Sequence, residues 1–179
     1  IWKSSDHIGV FSSGQIYDFS TNQSGENVTF AGNIEPTDTY YAVYPYDPSA
    51  IIDGETITTV LPADQIAVKG SFADGANVTV AKTSNAILSF KNVAGLIQFE
   101  ITRSDISAVT FEAKNGQKAA GKVSVAVSDT PTWSAPEGVS EVTLSASEGA
   151  FEPGVYYMAV LPQKYEGFAI TLTNNAGAT

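Results

Sequence analysis

The feature that most constrains this chain is period-two alternation of apolar and polar residues, recurring from end to end and cut every few residues by turn formers. Successive strand side chains point to opposite faces, so such alternation describes half-buried β-strands, whereas a helix needs a 3.6-residue stripe. No long stripe of that kind escapes interruption by Gly, Pro or Asn. The clearest strands are His7–Phe11, Tyr40–Tyr46, Thr56–Leu61, Val78–Lys82, Leu88–Asn92, Leu96–Thr102, Val109–Ala113, Gly121–Val127, Glu141–Ser145, Val155–Leu161 and Phe168–Thr173. The expected architecture is an all-β sandwich of about seven to eleven short, mostly antiparallel strands.

Turn chemistry separates these strands. Ser13-Gly14, Ser24-Gly25, Asp53-Gly54, Asp74-Gly75, Asn115-Gly116, Glu148-Gly149 and Glu166-Gly167 each supply a residue that tolerates positive φ. Asn115-Gly116 is the strongest hairpin signal, predicting that Val109–Ala113 pairs with Gly121–Val127. Within the latter, Val123, Val125 and Val127 alternate with Lys122, Ser124 and Ala126, marking the valine face for the core. Asp129–Gly138, with Pro131 and Pro136 around Trp133, reads as a surface loop, and Tyr46–Ile52 is broken by Pro48. No boundary or internal repeat appears, so residues 1–179 are expected to form a single β-sandwich domain.

Charge and residue inventory remove several function classes. Nine basic residues stand against nineteen acidic ones, for a formal charge of −10. Neutralising phosphates requires clustered Lys and Arg, so nucleic acid and anionic membrane surfaces are not expected partners. There is no cysteine, hence no disulfide, thiolate nucleophile or Cys-based metal site. Apolar runs such as Val155–Leu161 are too short to cross a bilayer as a helix. His7 is the single histidine and lies in a strand, where a partly exposed structural residue is a simpler reading than one member of a catalytic triad. No phosphate-binding glycine loop occurs, and Asp53, Asp74, Glu137 and Glu152 sit beside Gly or Pro as solvated turn residues. Asp18, Asn22 and Glu26 could offer oxygens to calcium but lack the spacing of a calcium loop. No catalytic, cofactor or metal residues are therefore assigned, and the chain is expected not to be an enzyme.

Two features point to binding. Tyr40, Tyr44 and Tyr46 share one strand face and, with Trp133, could stack on sugar rings; equally, one tyrosine face could be core. Phe168, Ile170 and Leu172 alternate along the last strand, before the turn Asn174-Asn175-Ala176-Gly177 that should return into a further strand. That strand is expected to have an open edge, completed by missing sequence or by a neighbouring subunit.

The order of segments carries a resemblance. Trp2-Lys-Ser-Ser-Asp-His-Ile-Gly-Val-Phe11 is followed by Tyr40-Tyr-Ala-Val-Tyr-Pro-Tyr46 and Leu61-Pro-Ala-Asp-Gln65, and later by Leu88–Ile97, Ala120–Val125 and Tyr156-Tyr-Met-Ala-Val-Leu-Pro162. This order resembles the amino-terminal domain of the fimbrillin-like pilin and adhesin family of the Bacteroidetes. The resemblance implies a transthyretin-like, Greek-key β-sandwich that forms the first of two domains. It also implies export as a lipoprotein, anchored through a lipid outside this sequence, to the outer membrane, cell surface or fimbria. The implied role is that of a structural or adhesive subunit whose partners are other pilins, or a surface protein or glycan, with assembly by addition of a donor strand. A carbohydrate-binding module is the alternative. The resemblance brings no cofactor.

Overall fold

The computed structural model describes Ile1–Ala178 and contains strands but no helix among those residues. In chain order the strands are β1 (His7–Ser12), β2 (Gln15–Ser20), β3 (Tyr40–Tyr44), β4 (Ile51–Asp53), β5 (Thr56–Leu61), β6 (Asp64–Ile66), β7 (Thr79–Thr83) and β8 (Lys91–Asn92). They continue as β9 (Gly95–Ile101), β10 (Ile106–Ala113), β11 (Ala120–Ala126), β12 (Thr132–Ser134), β13 (Gly138–Val139), β14 (Glu141–Ser145), β15 (Gly154–Val160) and β16 (Phe168–Asn174). The expected all-β, mostly antiparallel class is what the structure shows, with more strands than the predicted seven to eleven.

The chain divides into two compact units. The first comprises Ile1–Val60, Val78–Val93 and Ser124–Ser134, and the second Leu61–Asn77, Ala94–Val123 and Ala135–Thr179.

In the first unit, five antiparallel strands form a sheet in the order β2-β1-β3-β7-β8. Val10 faces Ala42, and Ala42 faces Ala81, so one row of small apolar side chains crosses three strands on one face. The β1–β2 connection is a two-residue turn in which Ser13 (φ 51°) and Gly14 (φ 80°) both adopt positive φ, as a type I′ hairpin requires. The same unit holds the hairpin β4–β5, and the last part of β11 paired with β12 through Ser124↔Ser134, Val125↔Trp133 and Ala126↔Thr132. Thus Trp133 lies on a short strand rather than in the loop predicted for Asp129–Gly138, and Ile51 and Ile52 form strand despite Pro48. Neighbouring strands supply the ladder in both places, which local punctuation does not reveal.

The predicted hairpin at Asn115-Gly116 is the main topological correction. Asn115 (φ 57°) and Gly116 (φ 74°) do take the paired positive φ values, and the Gln117 N–H donates to the Lys114 carbonyl at 3.1 Å. Yet β10 pairs with β14 and β16, whereas the start of β11 pairs with β13. The dipeptide determines a chain reversal; the strands that follow find other partners. The valine face of β11 behaves as predicted, with Val123, Val125 and Val127 buried and Lys122 and Ala126 exposed.

In the second unit a four-stranded sheet runs β16-β10-β14-β6, with β6 joining β14 in parallel, and β9 pairs with β15 as a separate two-stranded sheet. Gln65 on β6 ties these sheets together from within the core. Only 2% exposed, its Nε2 donates to the Ala159 carbonyl at 2.8 Å and the Pro62 carbonyl at 3.0 Å, while its Oε1 accepts from the Ala159 N–H at 3.0 Å. A buried donor or acceptor stripped of its partner bears its full desolvation cost. Gln65→Leu should therefore lower unfolding free energy by about 2–3 kcal/mol, read as a lower urea midpoint at unchanged m-value.

Candidate functional sites: an apolar groove and an open strand edge

The first site lies entirely within the first unit, over the β2-β1-β3-β7-β8 sheet. A groove of about 830 Å3 opens on its Val10 face. Its floor is formed by the half-buried Phe19 and Tyr40, which pack on the buried Ile8 and Val10 beneath them. One lip is the segment 27–34 between β2 and β3, and the other is 84–88 between β7 and β8.

Trp2 closes one flank. Its backbone exchanges hydrogen bonds with Gly25, donating at 2.8 Å and accepting at 3.1 Å. The indole meets Phe30, Tyr44 and Phe90 edge to face, at centroid distances of 5.0, 5.0 and 5.3 Å. Asp6 organises the approach: one carboxylate oxygen accepts from the Lys3 N–H at 2.7 Å and the other from the Tyr44 hydroxyl at 3.0 Å. The W-x-x-x-D spacing is thus explained as architecture, since Asp6 holds the turn that delivers Trp2 onto Tyr44. Gly32 is required by the lip, because a Cβ there would stand 2.6 Å from the Phe19 ring and 2.8 Å from the Asp18 carbonyl. The lip 84–88 is held by Asn85, whose Oδ1 accepts from the Thr83 hydroxyl at 3.1 Å and the Ile87 N–H at 2.7 Å.

No Asp, Glu, Lys or Arg lines this groove. Charge lies on the opposite face of the sheet, where Lys82 donates to Glu55 beside Tyr41. The Lys82 hydrogen bond, followed by that from the Tyr41 hydroxyl, holds the Glu55 carboxyl below its ordinary range.

Of the four residues proposed to stack on sugars, Tyr40 lines the groove and Tyr44 packs against the core with its hydroxyl engaged by Asp6. Tyr46 lies beyond the end of β3, and Trp133 sits on β12 outside the groove lining. The four are not gathered on one platform there. Phe30 and Ile34 belong to an irregular segment without strand periodicity, whereas Leu88 falls in the predicted strand Leu88–Asn92, of which only Lys91–Asn92 pairs as β8, leaving Leu88 and Phe90 to line the groove. His7 on β1 is exposed, its Nδ1 2.8 Å from Asp18 Oδ1. Among the described residues no group of three or more His, Asp or Glu side chains could hold a metal ion.

The second site lies within the second unit, along β16. On the sheet's inner face, Leu144, Val109 and Leu172 form one row, and Val142, Phe111 and Ile170 the next. Burial falls across the rows: Leu144 and Val142 are 0% exposed, Val109 and Phe111 3%, but Leu172 is 44% and Ile170 51% exposed. Phe168, opposite Ala113, is 59% exposed and stacks on Phe111 at 5.5 Å. The other face carries Thr143, Thr110 and Thr171, with a 3.1 Å contact between the Thr110 and Thr143 hydroxyls. Phe168, Ile170 and Leu172 therefore sit on the core face, incompletely covered, on a strand that is at the edge of its sheet among the described residues. Past β16 the chain turns through Gly177 (φ 79°), so that Asn174 donates to the Ala178 carbonyl at 2.9 Å.

Together these features define an all-β protein with an apolar groove in one unit and an unsealed apolar strand edge in the other. No protein-family profile matches the chain, and no curated protein sequence matches it. Among solved structures, the chain is similar to a candidate cell adhesion protein from Bacteroides ovatus ATCC 8483, at 13% identity and a TM-score of 0.49, over 96% of this chain and 77% of that one. That is a distant likeness.

Replacing Trp2 removes three ring contacts at once from the groove flank. Trp2→Ala is expected to cost about 2–3 kcal/mol in chemical denaturation, with Trp133 fluorescence as the probe.

Proposed function

We propose that this chain is a structural or adhesive module of a cell-surface assembly, joined to its neighbours by β-strand addition along β16. The observation that carries the reading is the row Phe168, Ile170 and Leu172, which faces the core side of its sheet yet remains about half exposed on an edge strand. An edge of this kind offers unpaired N–H and C=O groups together with sockets for alternate side chains, the two elements of strand addition. An added strand covers the apolar row with its own inward side chains.

The ordered motifs that resemble the fimbrillin-like family support the same reading, and with it an exported, lipid-anchored precursor and pilin-like partners at the outer membrane or in a fimbria. The function resides in backbone and apolar surface rather than in reactive side chains, so we read the chain as non-enzymatic.

The test compares the full-length, processed protein with its Ile170→Asp/Leu172→Asp variant. Both replaced side chains are half exposed, so circular dichroism should show a retained fold. Sedimentation velocity should show concentration-dependent oligomers for the parent and a shift to monomer for the variant. A parent that stays strictly monomeric, or a variant that assembles equally well, overturns strand addition at this edge.

A further inference from the structure

We propose that the groove of the first unit binds the uncharged acyl chain of a neutral lipid. Its volume of about 830 Å3 falls within the usual range for small-molecule sites, roughly 300–1,000 Å3, and its wall is mainly apolar and aromatic, as such sites are.

Two observations select the ligand. The first is charge. In a chain of formal charge −10, no ionisable Asp, Glu, Lys or Arg side chain lines the groove. Its polar lining residues are uncharged, namely Asn27, Thr29, Thr37, Thr83, Ser84 and Asn85, with the Thr83 hydroxyl and Asn85 Oδ1 already bonded to each other. A carboxylate or phosphate buried here meets no cation, whereas an ester carbonyl or hydroxyl at the mouth meets hydroxyl and amide groups suited to it. The second is the kind of surface on the floor. Half-buried Phe19 and Tyr40 project from the face of a sheet whose strands already pair laterally and cover the buried Ile8 and Val10, so the floor presents side chains rather than a backbone edge. A peptide laid across it would leave its own amides unpaired against apolar floor; an acyl chain has none to satisfy.

Trp2 lines the groove and provides a direct reporter. In a Trp133→Phe background Trp2 is the only tryptophan, because the chain has two. Titration with 1-monolauroylglycerol below its aggregation threshold should shift Trp2 emission to the blue and saturate at one ligand per chain. Laurate, the matching anion, should bind at least about tenfold more weakly, since its charge must stay outside or be desolvated without a partner. Ile87, on the lip and 74% exposed, can be changed without disturbing the core. Ile87→Asp should weaken monolauroylglycerol about tenfold by placing a charge at the mouth, while Ile87→Lys should improve laurate. A synthetic peptide spanning Phe168–Asn174 should not displace the lipid. The proposal fails if monolauroylglycerol gives no saturable signal, if laurate binds as tightly, if Ile87→Asp leaves affinity unchanged, or if the peptide displaces the lipid, which would identify the groove as a strand acceptor.

Discussion

The ladder that β10 makes on both sides, with β14 and with β16, is the interaction on which the second unit depends. Because β10 has a partner at each edge, its inner face can be sealed: Val109, Phe111 and Ala113 are almost fully buried. The same ladder carries β16 outward, to a place where its backbone is paired on one side only and its inner face extends past the cover enjoyed by β10. Among the described residues β16 is paired on one side only, and it keeps core-type side chains on its inner face. Natural edges are commonly blunted by charge or proline, and β16 has neither between Phe168 and Asn174.

Gln65 complements that ladder. Two sheets whose facing surfaces are wholly apolar can slide relative to each other at little cost, since hydrophobic burial is non-directional. A buried amide that must reach both the N–H and the carbonyl of Ala159 has one acceptable position, and so adds register to packing. In the first unit Asp6 plays a related part at the surface, tying a turn, the Tyr44 hydroxyl and the placement of Trp2 into one arrangement. In both cases a polar side chain positions backbone or an aromatic ring.

The alternation of β10, β11, β14 and β16 was legible because each strand has one buried face, which writes a period of two into the sequence. The lips of the groove were not legible. Phe30, Ile34 and Ile87 belong to segments without regular period, the strand expected from Leu88 starts only at Lys91, and only the folded chain brings 27–34 and 84–88 to the same sheet face. The tyrosine run shows the same division: alternation correctly put Tyr40 and Tyr44 on one side, but whether that side met solvent or core depended on Trp2, from a distant part of the chain.

The sequence by itself determined the all-β class, the valine face of β11, the reversal at Asn115-Gly116 and the apolar row of β16, because each follows from steric preference or from side-chain period over a few residues. Only the tertiary structure decided which strands pair. Asn115-Gly116 supplies hairpin dihedrals without a hairpin, and Ser13-Gly14 supplies the hairpin, because a turn specifies direction while the partner is chosen by long-range burial. For the same reason the exposure of Phe168, Ile170 and Leu172 could not be read locally: a strand's pattern says which face is apolar, and its neighbours decide how far that face is covered.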